Sequence, residues 1–250
     1  MPKTFVHSET GAGISPVTEH SGQKMSLGAK LAIRIPIGLL VTAAILFVPA
    51  GTLNFWQGWA VLAAYFVPTN LVFLYLLKTD PQVIERRMER KEPVREQKLL
   101  MKWFKLFLFL AFLIPGFDYR WGWSRRLFGG VPTSLALVSL TLVLASFLFV
   151  FWVVGVNRFA ASTIRVEEGQ PVISSGPYRW MRHPMYSGSL VLFVFTPLAL
   201  GSYIALPLFA VLIPIYVIRL LNEEKVLQRE LPGYTEYCLH TPYRLIPFVW

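Results

Sequence analysis

Between Thr133 and Gly155 the chain is cleanly apolar, without one charged side chain, and similar runs recur before and after it. A helix needs about 20 apolar residues to cross the bilayer core. Inside lipid every backbone polar group must be satisfied within the segment, so such runs fold as helices. Soluble domains carry about 25% charged residues, whereas this chain carries 15%, with 54% hydrophobic residues. These constraints predict an all-α, polytopic integral membrane bundle of five to six transmembrane helices.

The pattern divides the 250 residues into a polar tail (1–26), N-terminal membrane helices (27–130) and a C-terminal region (131–250). The tail lacks the apolar core of a signal peptide and reads as flexible and cytosolic. A first span runs from about Leu31 to Ala50, and a second from about Phe55 to Leu77, with Trp56 and Trp59 suited to the interface. Residues 78–102 are charged. Pro81 is placed to start a short helix and Pro93 to interrupt it. Ile84 and Met88 among Arg86, Arg87, Arg90 and Lys91 suggest an amphipathic piece on the membrane surface. A third, short span covers Trp103 to Phe117, followed by an aromatic and basic loop, Asp118 to Gly130. After the apolar run comes a polar loop, Asn157 to Tyr178, in which 166–173 is compatible with a small hairpin. Then a C-terminal helical hairpin is expected. One arm, Met185 to Leu200, is ~24 Å long, and the other, from Tyr203 to Pro232, is ~43 Å. The second arm outreaches a ~30 Å core, which puts Glu223 and Glu224 near the interface on the side of His183.

Charge orients the bundle. With both termini cytosolic, 21 of the 24 Lys and Arg residues lie inside, and only Arg120, Arg125 and Arg126 lie outside. That asymmetry follows the positive-inside rule and points the functional face to the cytosol, as in a bacterial inner membrane or an equivalent one. The formal charge of +10 therefore answers to anionic headgroups rather than to nucleic acid. A lone cysteine, Cys238, excludes an intrachain disulfide and a Cys-based metal site, and no metal is expected.

The chemistry concentrates in Ser174–Gly188, a turn-rich polar segment between two apolar runs. Polar groups at a membrane border are expensive to keep. Pro184 opens a helix, and free N–H groups at such a start favour an anion. Arg179, Arg182 and His183 add donors or positive charge. One span later stand Glu223 and Glu224, about 100° apart around a helix, so that one of them at most faces a given partner squarely. They suit an ammonium group or sugar hydroxyls. Arg219, four residues earlier, is spaced for a surface ion pair with Glu223. A ligand carrying both charges, such as an amino-acid zwitterion joined to a nucleoside, matches the two halves together.

Gly-Pro-Tyr-Arg-x-x-Arg-His-Pro-Met-Tyr-x-Gly at 176–188, Glu-Glu-x-x-Leu at 223–227, Gly-Tyr-x-x-Tyr at 233–237 and Arg-Leu-Ile-Pro at 244–247 form a compound pattern. It resembles the isoprenylcysteine carboxyl methyltransferase family, and the related phospholipid N-methyltransferases share much of it. The likeness covers roughly the last 100 residues; the first 130 or so agree in hydropathy and little else. The resemblance implies S-adenosyl-L-methionine as cofactor, in a cytosol-facing pocket with Gly176, Tyr178, His183, Pro184, Tyr186, Glu223 and Glu224 on the cofactor side. It implies Arg182 and Arg219 as the arginines that orient a lipophilic acceptor, and Tyr234, Tyr237 and Arg244 as a lid. A carboxylate acceptor needs no base. An amine, thiol or phenol does, and His183 or Glu224 would serve.

Membrane sterol reductases resemble the same half, with an Arg-His-Pro-Asn-Tyr-x-Gly-Glu element that serves NADPH. Here Met185 stands in place of the Asn and Ser189 in place of the Glu, and both departures favour the methyltransferase. A non-catalytic membrane protein of the same fold is the third alternative. The acceptor itself has no signature in the chain.

Overall fold

A computed structural model describes residues 26–88, 95–159, 166 and 169–250. The described residues form helices and connecting turns, without a strand. These are α1 (Leu27–Ala50), α2 (Trp56–Thr79), α3 (Pro81–Met88), α4 (Arg95–Trp121), α5 (Trp123–Phe128), α6 (Thr133–Val156), α7 (Pro184–Ala199), α8 (Leu206–Glu230) and α9 (Tyr234–His240). Five of them, α1, α2, α4, α6 and α8, are long and apolar enough to cross a membrane. The chain is a multi-pass helical membrane protein. The residues 1–25 assigned to a tail lie outside the described part, as do 167 and 168 of the segment read as a hairpin. Val166 and residues 169–173 carry no strand.

The bundle is stitched by aromatic and aliphatic packing across chain-distant helices. Phe104 and Ala111 of α4 bury against Phe193 of α7 and Phe209, Leu212 and Ile215 of α8. Leu46, Phe47 and Ala50 of α1 bury against Val61 and Leu62 of α2 and the end of α7. At the far end of the bundle Asp118 accepts hydrogen bonds from Ser124 N (2.7 Å), the Ser124 hydroxyl and Ser202 Oγ (2.5 Å). A buried carboxylate survives there because three donors replace its water.

Three expectations need correcting. Span three is not short: α4 is one helix of 27 residues that carries Pro115 in its interior. Lys98 and Lys102 made its basic end read as a linker. Nor does α3 float on the surface, because Val83 and Ile84 are fully buried against Leu31, Leu76 and Val154. Its apolar face is docked on protein, which fixes where its arginines reach. The final helix is also shorter than expected, at 25 residues or ~37 Å, because residues 201–205 form the turn from α7.

The most extensive helix contact joins α6 to α7. It depends on Gly188, where an added Cβ would stand 2.5 Å from Val150 Cγ2, and Ser146 Oγ donates to Gly188 O at 2.6 Å. Gly188→Val should therefore destabilise the detergent-solubilised protein by about 1–3 kcal/mol in denaturant unfolding. Gly155→Ala, where an added Cβ meets nothing within 4 Å, should leave stability unchanged or raise it.

Candidate active site

The segment before α7 is shaped by two residue types that cannot be exchanged freely. Gly176 opens a 3-10 turn (Gly176–Arg179) at φ +57°, and a Cβ there would come within 2.9 Å of Val156. Pro177 follows with its preset φ. The turn buries Tyr178, whose hydroxyl accepts from Asn157 Nδ2 at 3.0 Å, so the end of α6 and the turn move as one unit. Arg179 points outward and is exposed.

Pro184 starts α7 with His183 as the cap residue. The anion corner expected there is not built from free N–H groups. Arg182 N donates to Tyr243 O at 2.9 Å and His183 N to Arg244 O at 3.0 Å, and Pro184 has no N–H. Ser187 Oγ adds a third link, donating to Leu245 O at 2.6 Å. Residues 243–245 thus lie back against the start of α7 and take up the amides of Arg182 and His183.

The two adjacent glutamates on α8 split their work. Glu224 is 3% exposed and sits between two guanidiniums. Arg244 Nε donates to its Oε2 at 2.6 Å, and Arg182 Nε lies 3.0 Å from its Oε1 as an ion pair. His183 Nε2 is 3.9 Å from the same Oε1. Glu223 instead faces a cleft and accepts from the Tyr186 hydroxyl at 2.6 Å. Among the described residues no cation pairs with it. The surface ion pair expected between Arg219 and Glu223 gives way to a buried arginine: Arg219 is 7% exposed, and its Nη1 lies 3.4 Å from Gln97 Oε1 on α4.

The cleft encloses about 800 Å³ counting its open mouth. Of the residues singled out in the sequence, Tyr178, Arg182, His183, Tyr186, Glu223, Tyr234 and Tyr237 line it. Gly176, Pro184, Arg219, Glu224 and Arg244 stand outside that lining, where they shape or brace it. Arg244 is thus a brace rather than a lid, with its guanidinium also over the Trp250 ring at 5.5 Å. The wall gains Asn157, Phe159, Val172, Met185, Val226 and Leu227. The α8 pair Val226 and Leu227 was readable as one helix turn beyond Glu223, whereas Phe159 and Val172 come from a loop whose path no local signal fixes.

Four tyrosines line the cleft, and three of them, outside the membrane helices, are held as neutral phenols. Burial pushes Tyr178 up to about 12, opposed by the Asn157 hydrogen bond. Burial likewise raises Tyr234 and Tyr237 well above the ordinary phenol value. Tyr237 donates to Tyr178 O at 2.6 Å, and the Tyr234 hydroxyl lies 3.5 Å from His183 Nε2. The lining therefore combines His183, Glu223 and the Glu224-bound Arg182 with neutral hydroxyls and apolar side chains.

That arrangement lies almost wholly in one block of chain, from α6 to the end of α8, closed by α9. Residues 133–232 match the phospholipid methyltransferase family model. Two relatives share part of the chain. The Delta(14)-sterol reductase TM7SF2 of Mus musculus is 35% identical over 94 residues, which are 35% of this chain and 22% of the reductase. The uncharacterized protein YpbQ of Bacillus subtilis (strain 168) is 26% identical over 99 residues, 39% of this chain and 59% of that protein. The matched segment thus spans about a fifth of one relative and three-fifths of the other.

Removing one partner of a buried charge cluster leaves the others uncompensated, at a cost of about 3–5 kcal/mol. Glu224→Gln should therefore release residues 241–250 from α7. In hydrogen–deuterium exchange the amides of Arg182 and His183 should lose protection, while those of α6 keep theirs.

Proposed function

We propose that this chain is an integral membrane methyltransferase that uses S-adenosyl-L-methionine and acts on a lipidic or membrane-associated acceptor. One observation carries the reading. Within the segment that matches the phospholipid methyltransferase family, the cleft presents Glu223 with no ion-pair partner among the described residues, beside His183 and a wall of aromatic and aliphatic side chains. That donor set fits a ligand with an ammonium or ribose hydroxyls at one end and a flat apolar base at the other. When bound, S-adenosyl-L-methionine supplies a sulfonium methyl that passes by in-line displacement to a nucleophile, the S–CH3 bond breaking as the new bond forms.

The chain's own residues then have distinct tasks. Glu223, held in place by Tyr186, binds the positive or hydroxylated end. Tyr178 and Tyr234 donate hydrogen bonds without titrating near neutral pH. Glu224 is committed to Arg182 and Arg244, so it braces the site, and the proton of an amine, thiol or phenol acceptor falls to His183. Alignment supplies most of the rate, since the donor is already activated. In this reading the basic face is cytosolic and carries the cleft.

The reductase alternative draws support from the 35% identity to TM7SF2. Met185 and Ser189 weigh against it: Met185 puts a thioether on the cleft wall, and the Ser189 hydroxyl donates to Met185 O at 3.0 Å. Neither can do the work of an amide or a carboxylate there.

Calorimetric titration of the detergent-purified protein with S-adenosylhomocysteine, and separately with NADPH, distinguishes the two. Micromolar binding of S-adenosylhomocysteine is expected. Glu223→Gln should weaken it by about 10-fold or more, as loss of a charged hydrogen bond implies. NADPH binding with no response to S-adenosylhomocysteine would overturn the assignment.

A further inference from the structure

A second cavity lies between α1, α2 and the docked helix α3, on the same side of the bundle as the cleft. It holds about 700 Å³ counting its mouth. Its walls are apolar, with Leu31, Ile35, Phe66 and Phe73. Its polar groups are Arg34 of α1, Thr69 and Asn70 of α2 and Arg87 of α3, and its described lining holds no carboxylate. Asn70 sits nine residues, or ~14 Å along the helix, from the end of α2 at Thr79, well inside the span.

Two buried polar atoms there have no hydrogen-bond partner among the described residues, Arg87 Nε and Asn70 Oδ1. Unmet polar atoms beside hydrocarbon are costly, and intramembrane polar residues mark ligand paths by default. Arg87 is also not a lipid-facing snorkel. Docking of Val83 and Ile84 holds α3 against the bundle, and Arg87 Nη2 lies 3.2 Å from Met185 Sδ. Met185 lines the first cleft. The two cavities therefore share one wall, made of Arg87 and Met185, and Met185 is one of the two residues at which this chain departs from the reductase pattern.

We propose that the second cavity binds the methyl acceptor, an amphiphile with an anionic head. The carboxylate or phosphate head sits on Arg87 and Arg34, where guanidinium forks match either oxyanion, and the apolar chain lies between α1 and α2. Asn70 Oδ1 accepts a hydrogen bond from a donor near the head. Its role as acceptor site rests on the methyltransferase reading; the binding chemistry does not.

The test is photolabelling in phosphatidylcholine nanodiscs with four diazirine-tailed 16-carbon probes: a carboxylate, a phosphate monoester, an alcohol and an amine. The carboxylate or the phosphate should label peptides spanning 31–35 and 66–73 at least 5-fold more than the alcohol or amine, and the stronger of the two names the head. Arg87→Gln should reduce that labelling at least 5-fold, and Arg87→Lys, which keeps the charge, should restore much of it. Equal labelling by the alcohol, or anion labelling that survives Arg87→Gln within 2-fold, overturns the proposal. S-adenosylhomocysteine titrated into the same wild-type discs reads the other cavity. Its failure to bind would sink the methyltransferase assignment while leaving the labelling result to stand or fall by itself.

Discussion

One carboxylate, Glu224, holds the end of the chain against the start of α7. It is taken up by guanidiniums from two places far apart in sequence, Arg182 before α7 and Arg244 near the C-terminus. The backbone completes the same seam through Arg182 N to Tyr243 O and His183 N to Arg244 O. Buried ion pairs add little net stability over apolar packing, but a seam of this kind fixes geometry. It sets the ring of His183, the turn around Tyr178 and the phase of α8, and with that phase it turns Glu223 toward the cleft. The site is open because its neighbour is closed.

Much of this was legible in the residues. The apolar runs imply the helical class, and the cluster at 176–188 and Glu223 mark segments that line the cleft. What could not be read were relations between distant segments. Adjacent glutamates are distinguishable only once their partners are known, and Arg244 comes 20 residues after Glu224 through a turn and α9. The amides at the start of α7 looked free because nothing local says that a C-terminal segment will cover them. Likewise α3 is amphipathic from its sequence, but whether lipid or protein receives Ile84 depends on the shape left by α1, α2 and α6. Arg219 was misread for the opposite reason: the four-residue spacing to Glu223 was real, yet burial against α4 offered Gln97 instead.

The two cavities give a physical reason for building such a site within a membrane. A water-facing cleft suits a charged, hydroxylated ligand, and a lipid-facing pocket suits an apolar chain. Only their shared wall, Arg87 and Met185, needs to bring the two together. The helices that supply the first cavity belong mainly to the segment matching the methyltransferase family, whereas α1 to α3 supply the second from the part that does not match. On the proposed reading, cofactor chemistry and acceptor choice are carried by different stretches of one chain.

The most direct measurement is ultraviolet crosslinking of methyl-labelled S-adenosyl-L-methionine to the protein in native membranes, followed by peptide mapping. The account predicts label on peptides spanning 171–186 and 223–237, abolished by excess S-adenosylhomocysteine and insensitive to NADPH. Absence of label from both peptides, or its loss to NADPH alone, would contradict it.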